Sequence, residues 1–234
     1  MKGSSPVFRR LIAVSAAVLG VGLVVTGCSS VKFGAAAIVG NQRITLATLD
    51  TEVTNLSQTA KLYPGTVTLT ATQETQETLS WLVRFQINEQ LARTEGITIS
   101  TGQAQTALAQ IYAASKSQAE SEGLSNVTLN LILAANGIPP NLATEVGRYQ
   151  AIETQFVEQV NGGKIPTATA AQTATTAKLE RAQCEAAKTL QIQINPQFGR
   201  LNYSQYAVVS APSTVSRAEG KATAASTSGL TPAC

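Results

Sequence analysis

Apolar residues recur at helical spacing through most of this 234-residue chain, and that spacing predicts a series of helices. Leu46, Leu49, Val53 and Leu56 step by three and four, which is one face of an amphipathic helix. Thr45 can cap its first turn, with Asp50 and Glu52 close to the positive end of the helix dipole. Leu79, Val83, Ile87 and Leu91 form an i+4 ridge with Leu82 beside it, so a second helix runs from about Gln73 to Arg93 and ends at Gly96. Ser100 with Gln103 three residues on is a capping box, opening a third helix through Ala104, Leu108, Ile111 and Tyr112 that Gly123 breaks. A short apolar helix, Leu129 to Ala135, closes at Asn136-Gly137. Pro139-Pro140 then start a fifth, with Leu142, Val146, Tyr149, Ile152, Phe156 and Val160 on one face. Asn161-Gly162-Gly163 stops it, and an Ala/Thr-rich helix follows from about Ala168 to Leu190.

The β signals are few. Ala35 to Val39 and Gln42 to Thr45 flank a Gly40-Asn41 turn, which reads as a small hairpin. Gln191-Ile192-Gln193-Ile194 alternates as a strand, and Asn195-Pro196-Gln197-Phe198-Gly199 turns. From about residue 210 the chain is Ser, Thr, Ala, Gly and Pro, a composition that disfavours a packed core. The expected fold class is mainly α: an irregular helical bundle with a small β hairpin and a C-terminal strand over residues 35–209, then a disordered tail, 210–234.

The first thirty residues follow another logic. Lys2, Arg9 and Arg10 form a basic front, and an uncharged, mostly apolar run extends from Leu11 to Gly27. That is the layout of a secretory signal, and the run is short for a membrane span, which needs roughly 20 residues. Val25-Thr26-Gly27-Cys28 resembles the bacterial lipobox, with Val25 where Leu is more usual. The resemblance implies a signal peptide over residues 1–27, a lipidated Cys28 and a tether over 28–34. Two or three acyl chains hold a protein stably at a membrane surface, where one does so marginally. The expected location is the outer face of the cell membrane, the protein being lipid-anchored there.

Removing residues 1–27 takes away three basic residues and no acidic one, so 17 Lys+Arg fall to 14 against 14 Asp+Glu. A neutral mature chain gives no electrostatic reason to expect a nucleic-acid partner. At 13% charged and 5% aromatic residues, the core must rely on small side chains. Cys184 and Cys234 remain beside Cys28. An oxidising compartment permits them to pair; two free thiols are the alternative, and spacing alone leaves the matter open.

Catalytic constellations are scarce. The chain has no histidine, which removes the usual Ser–His and Cys–His hydrolases, and neither paired cysteines nor a metal-ligand spacing occurs. No phosphate-cradling glycine loop is present, so neither nucleotide nor any other cofactor is expected. Glu74/Glu77 and Glu120/Glu122 read as solvated helix charges rather than a carboxylate dyad, which needs burial to split its two pKa values. Lys178 and Arg181 alternate with Glu180 and Glu185, the pattern of an exposed helix face with local ion pairs. Trp81 and Phe85, four residues apart, make an aromatic pair that suits packing against a neighbouring helix or, alternatively, an apolar platform for extended peptide.

The order of these segments resembles the SurA- and PrsA-type chaperones. Ala36-Ala37-Ile38-Val39-Gly40-Asn41-Gln42-Arg43-Ile44-Thr45 before an amphipathic helix is similar to the family's A-x-V-N-G-x-x-I-T opening. Leu91 to Ser100 is similar to its passage out of the long second helix, and Asn195 to Gly199 to the N-P-R-F-G stretch of actinobacterial members. The likeness spans roughly residues 35–205. Foldases of this family usually carry a parvulin prolyl-isomerase module of about 90 residues after the helical domain. Here only Asn161 to Gln191 is available, and it reads as one linker and one helix. The resemblance implies an isomerase-free, chaperone-like lipoprotein on an actinobacterial cytoplasmic membrane, binding unfolded or exported polypeptides without catalysis. Small residues (Ala104, Ala107, Ala134, Ala135) leave room for an apolar groove between helices. Trp81, Phe85, Tyr112 and Phe156 are the candidate peptide contacts. The alternative is a structural or adaptor lipoprotein with one specific envelope partner.

Overall fold

A computed structural model describes residues 34–211. The expected signal peptide, Cys28 and nearly all of the expected tail from residue 210 therefore lie outside the described residues. Within them the chain folds as a hairpin of β1 (Ala35–Val39) and β2 (Gln42–Thr45), six helices, and three short strands. The helices are α1 (Leu46–Leu62), α2 (Ala71–Glu95), α3 (Thr101–Ser121), α4 (Leu129–Ala135), α5 (Ala143–Val160) and α6 (Thr169–Thr189). A 3-10 turn at Pro140–Leu142 leads into α5, and β3 (Gln193–Ile194), β4 (Arg200–Asn202) and β5 (Ala207–Val209) close the body. The mainly α architecture follows the sequence reading.

Local chemistry starts each helix where the polar signals stand. The Thr45 hydroxyl accepts from the Thr48 amide at 2.9 Å, capping α1. Thr70 and Ser100 each close a full capping box, with Gln73 and Gln103 respectively. Gly96 ends α2 in the left-handed conformation, φ 67°, that glycine adopts at no steric cost. The α2 helix begins two residues before the expected start and ends two after, because Thr70 rather than a later residue supplies the cap.

The main core gathers around α2. Leu79, Val83, Ile87 and Leu91 are at most 2% exposed, and each contributes about 1.5–3 kcal/mol of burial. Ala36, Ala37 and Val39 of β1 pack on this ridge, as do Ile152 and Phe156 of α5 and Ala186, Ala187 and Leu190 around the end of α6. Because β1 is apolar and small on both faces, it sits in the middle of its sheet, in the order β2-β1-β3, with both partners antiparallel. A second cluster joins Phe85 to Leu133, Ile138, Leu142 and Val146.

The tightest helix contact is α3 on α5. A Cβ at Gly147 would lie 2.4 Å from the Ala104 carbonyl oxygen and 2.9 Å from Leu108 Cβ. Ala104 and Ala107, expected to leave room for a groove, are instead 5% and 7% exposed beside this contact. Ala134 is fully buried, whereas Ala135 is exposed beside a smaller hollow of about 400 Å³ between α3 and α4. The four alanines thus do not share one groove.

Strands β4 and β5 were not legible in the sequence pattern. A polar stripe on α2, Gln76, Ser80 and Arg84, holds them at i+4 spacing. Gln76 Nε2 donates to the Phe198 carbonyl at 3.2 Å, the Val208 amide donates to Ser80 Oγ at 2.8 Å, and Arg84 Nη2 donates to the Gln205 carbonyl at 3.1 Å. The Asn195–Gly199 turn is pinned to β1 from the other side, since the Asn195 amide and side chain donate to the carbonyls of Ala36 and Ala35 at 2.9 and 3.0 Å.

Candidate functional site: a groove between the last two helices

Helix α6 presents an unusual face to the core. Its buried residues are Thr175, Gln183, Cys184, Ala186 and Ala187, all small or polar, and the large apolar side chain it adds to the core, Leu179, is half-buried. Each buried methyl-sized group adds about 0.8 kcal/mol, far less than a leucine ridge supplies. The helix is therefore located largely by polar contacts. Gln183 Nε2 donates to Glu153 Oε1 at 2.8 Å and lies 3.5 Å from Asn88 Oδ1. Asn88, 1% exposed, donates from Nδ2 to the Tyr149 carbonyl at 2.9 Å. At the other end Asn161 Nδ2 donates to Thr175 Oγ1 at 3.0 Å.

Glu153 is the carboxylate of this junction. Burial raises its pKa above the ordinary value, and hydrogen bonds from Tyr149 and Gln183 offset part of that rise. Burial and the facing Glu153 push the Tyr149 hydroxyl upward. Nearby, Arg148 forks onto Glu89 and donates from Nη1 to the Ile99 carbonyl at 3.0 Å, tying α5 to α2 and to the loop after it. A second carboxylate, Glu52 on α1, has its pKa raised by burial and then by Glu145.

Because small residues line α6, it leaves an open groove of about 590 Å³ along α5. Phe156, 3% exposed, and half-buried Val160 form the α5 wall, while Ala174, Ala177, Ala182 and Ala186 form the α6 wall. Thr94 and Glu95, at the end of α2, close one side, and Lys178, Arg181 and Glu185 stand along the other.

The four candidate peptide contacts do not converge. Trp81 and Phe85 pack together, ring centroids 5.8 Å apart, and both meet Tyr149, at 5.9 and 6.0 Å. Trp81 Nε1 also donates to the Asn136 carbonyl at 3.3 Å, and the Arg84 guanidinium lies 4.8 Å from its ring centre. This half-buried cluster joins α2, α4 and α5. Tyr112 stands apart on α3, its hydroxyl donating to the Val127 carbonyl at 3.1 Å. Phe156 alone lines the large groove. The groove's α6 wall escaped the sequence reading because an Ala/Thr-rich helix shows no apolar stripe; the run of alanines at Ala174, Ala177, Ala182 and Ala186 is the signal that was there to find.

The ion pairs expected between Lys178, Arg181, Glu180 and Glu185 are absent; Glu185 pairs with Lys188 instead, at 3.5 Å. Cys184 is 2% exposed and disulfide-bonded, and the other two cysteines, Cys28 and Cys234, lie outside the described residues. Among the described residues, no cluster of three His, Cys, Asp or Glu side chains could hold a metal, and no helix is long and apolar enough to cross a membrane.

The fold is thus a mainly helical body closed by small antiparallel strands, with an open, largely apolar groove beside α6. The chain matches the family described as SurA-like N-terminal domain over residues 6–145, more than half its length, and belongs to that family. The match stops in the first turn of α5, so it includes Thr94 and Glu95 of the groove, while the α5 and α6 walls and the Asn195–Gly199 turn lie beyond it. It thus ends well short of the 35–205 span of the sequence resemblance, and begins earlier, within the expected signal peptide. No curated protein matches the chain. No solved structure matches it either.

Proposed function

We propose that this protein is a membrane-anchored extracytoplasmic lipoprotein that binds unfolded or exported polypeptides in the α5–α6 groove. The observation that carries the reading is the groove itself: an open apolar trough of about 590 Å³ on a SurA-like body, walled by one aromatic ring and by alanines. Burying an apolar segment there yields about 25 cal/mol per Å² without demanding a particular side chain, which suits weak, tolerant binding. The mode of action is binding without catalysis. A chain without histidine lacks the usual general base, and the stretch between Asn161 and Gln191 holds a linker and α6, where the foldases that the sequence resembles usually carry an isomerase module.

The lipobox-like Val25-Thr26-Gly27-Cys28 supports anchoring through Cys28. Suppression of aggregation of an unfolded model client tests the function. The full chain should suppress at near-stoichiometric ratio, and Ala177→Trp, which fills the groove from an exposed position, should weaken that effect severalfold. A folded protein with no suppression would refute the reading and leave the adaptor role with one envelope partner.

A further inference from the structure

The two edges of the groove differ in charge. Lys178 and Arg181 stand about one helical turn apart on α6, both exposed, and neither makes an ion pair or hydrogen bond. Arg181 and Glu185 are spaced for an i,i+4 pair, yet Glu185 is engaged by Lys188 at 3.5 Å, which leaves the guanidinium available. Glu95, across the groove, is the remaining carboxylate of the rim. The α6 edge therefore carries two cations without an ion-pair partner among the described residues, beside an apolar floor.

We propose, building on the polypeptide-binding reading, that the groove selects apolar segments carrying a carboxylate on the side that faces α6. Lys178 and Arg181 are then the specificity-determining residues. Apolar side chains of the client lie against Phe156 and the α6 alanines, and an adjacent Asp or Glu meets the two cations. The Thr94 hydroxyl on the rim can bond client backbone groups, and that of Thr189, which donates to the Ala186 carbonyl at 2.7 Å, can accept from a client amide. A polypeptide fits this arrangement better than an anionic lipid does. Glu95 on the rim finds no partner in an anionic phosphodiester headgroup, whereas a peptide can turn a cationic or neutral residue toward it.

The test is fluorescence anisotropy of the full chain with three labelled peptides sharing one apolar core, flanked by acidic, basic or serine residues. Exposed ion pairs are individually weak, so two of them give the acidic peptide an advantage of about three- to tenfold over the basic one. That advantage collapses toward one in the double variant Lys178→Gln/Arg181→Gln, and at about 1 M salt, where the screening length is about 3 Å. The serine-flanked peptide binds wild type and variant equally, which shows that the variant is folded. Equal binding of all three peptides by wild type would overturn this proposal and leave the polypeptide-binding reading intact. Binding of none would overturn both. Preference for anionic vesicles over every peptide, lost in the same double variant, would assign the cations to lipid and overturn it too.

Discussion

Replacing Gly147 by alanine tests the packing that sets α5 in place. In an isolated helix the change is favourable by about 1 kcal/mol, because glycine is the poorer helix former. Here the new methyl carbon meets the Ala104 carbonyl oxygen at 2.4 Å and Leu108 Cβ at 2.9 Å. Ordinary contact would require α3 and α5 to separate by about 1 Å. The obstructing atom is backbone and cannot rotate aside, and overpacking of this kind costs about 1–3 kcal/mol or more. The expected net is a loss of about 1–2 kcal/mol, read as a fall of roughly 0.5–1 M in the urea midpoint. Gly102, also helical but with nothing within 4 Å of its Cβ position, is the control. Gly102→Ala should raise the midpoint slightly, since only the propensity gain acts. A Gly147→Ala midpoint equal to or above wild type would refute the close α3–α5 contact and the placement of α5, whose Phe156 and Val160 form one groove wall.

Other perturbations follow from the same geometry. Glu153 has a folded-state pKa above its ordinary value of 4.5, so the folded state holds a proton that the unfolded chain has lost. Its contribution to stability is full below about pH 4.5 and is lost as pH rises through the folded-state value. Glu153→Gln should flatten that decline in thermal melts taken from pH 4 to about pH 8; an unchanged pH profile would show that Glu153 is solvated. Gly199 has φ 122°, and a Cβ there would lie 2.1 Å from the Val209 carbonyl oxygen. Gly199→Ala should therefore cost at least about 2 kcal/mol in urea unfolding and release the β4–β5 hairpin, visible as faster hydrogen exchange at Val208. Thr70→Ala and Ser100→Ala each remove a helix cap and should each cost about 1 kcal/mol by the same assay.

Much of the body was legible because its signals are local. The hairpin before α1, the Ser100–Gln103 box, the Pro140 turn that leads into α5 and the glycine at the end of α2 each depend on residues within a turn of one another. Features requiring distant partners were not legible. The pairing of β3 with β1 joins Gln193 to Ile38 across most of the chain. Strands β4 and β5, three residues each, exist because Gln76, Ser80 and Arg84 offer them a polar stripe on α2. The candidate site divides the same way. Trp81 and Phe85 were recognisable as a pair from their spacing, but only the fold shows Tyr149 completing a cluster between helices. Nor could periodicity show that Phe156 would meet a wall of alanines, since the groove arises from how weakly α6 fills the space beside α5.

The central claim, that polypeptide binds between α5 and α6, is tested most directly by site-specific photocrosslinking. A photoreactive side chain is placed at Ala177 in the groove or at Gln105, exposed on α3, and the full chain is mixed with an unfolded client. The account predicts client adducts at Ala177 and few at Gln105. Adducts at Gln105 but none at Ala177, from a protein that still suppresses aggregation, would contradict it.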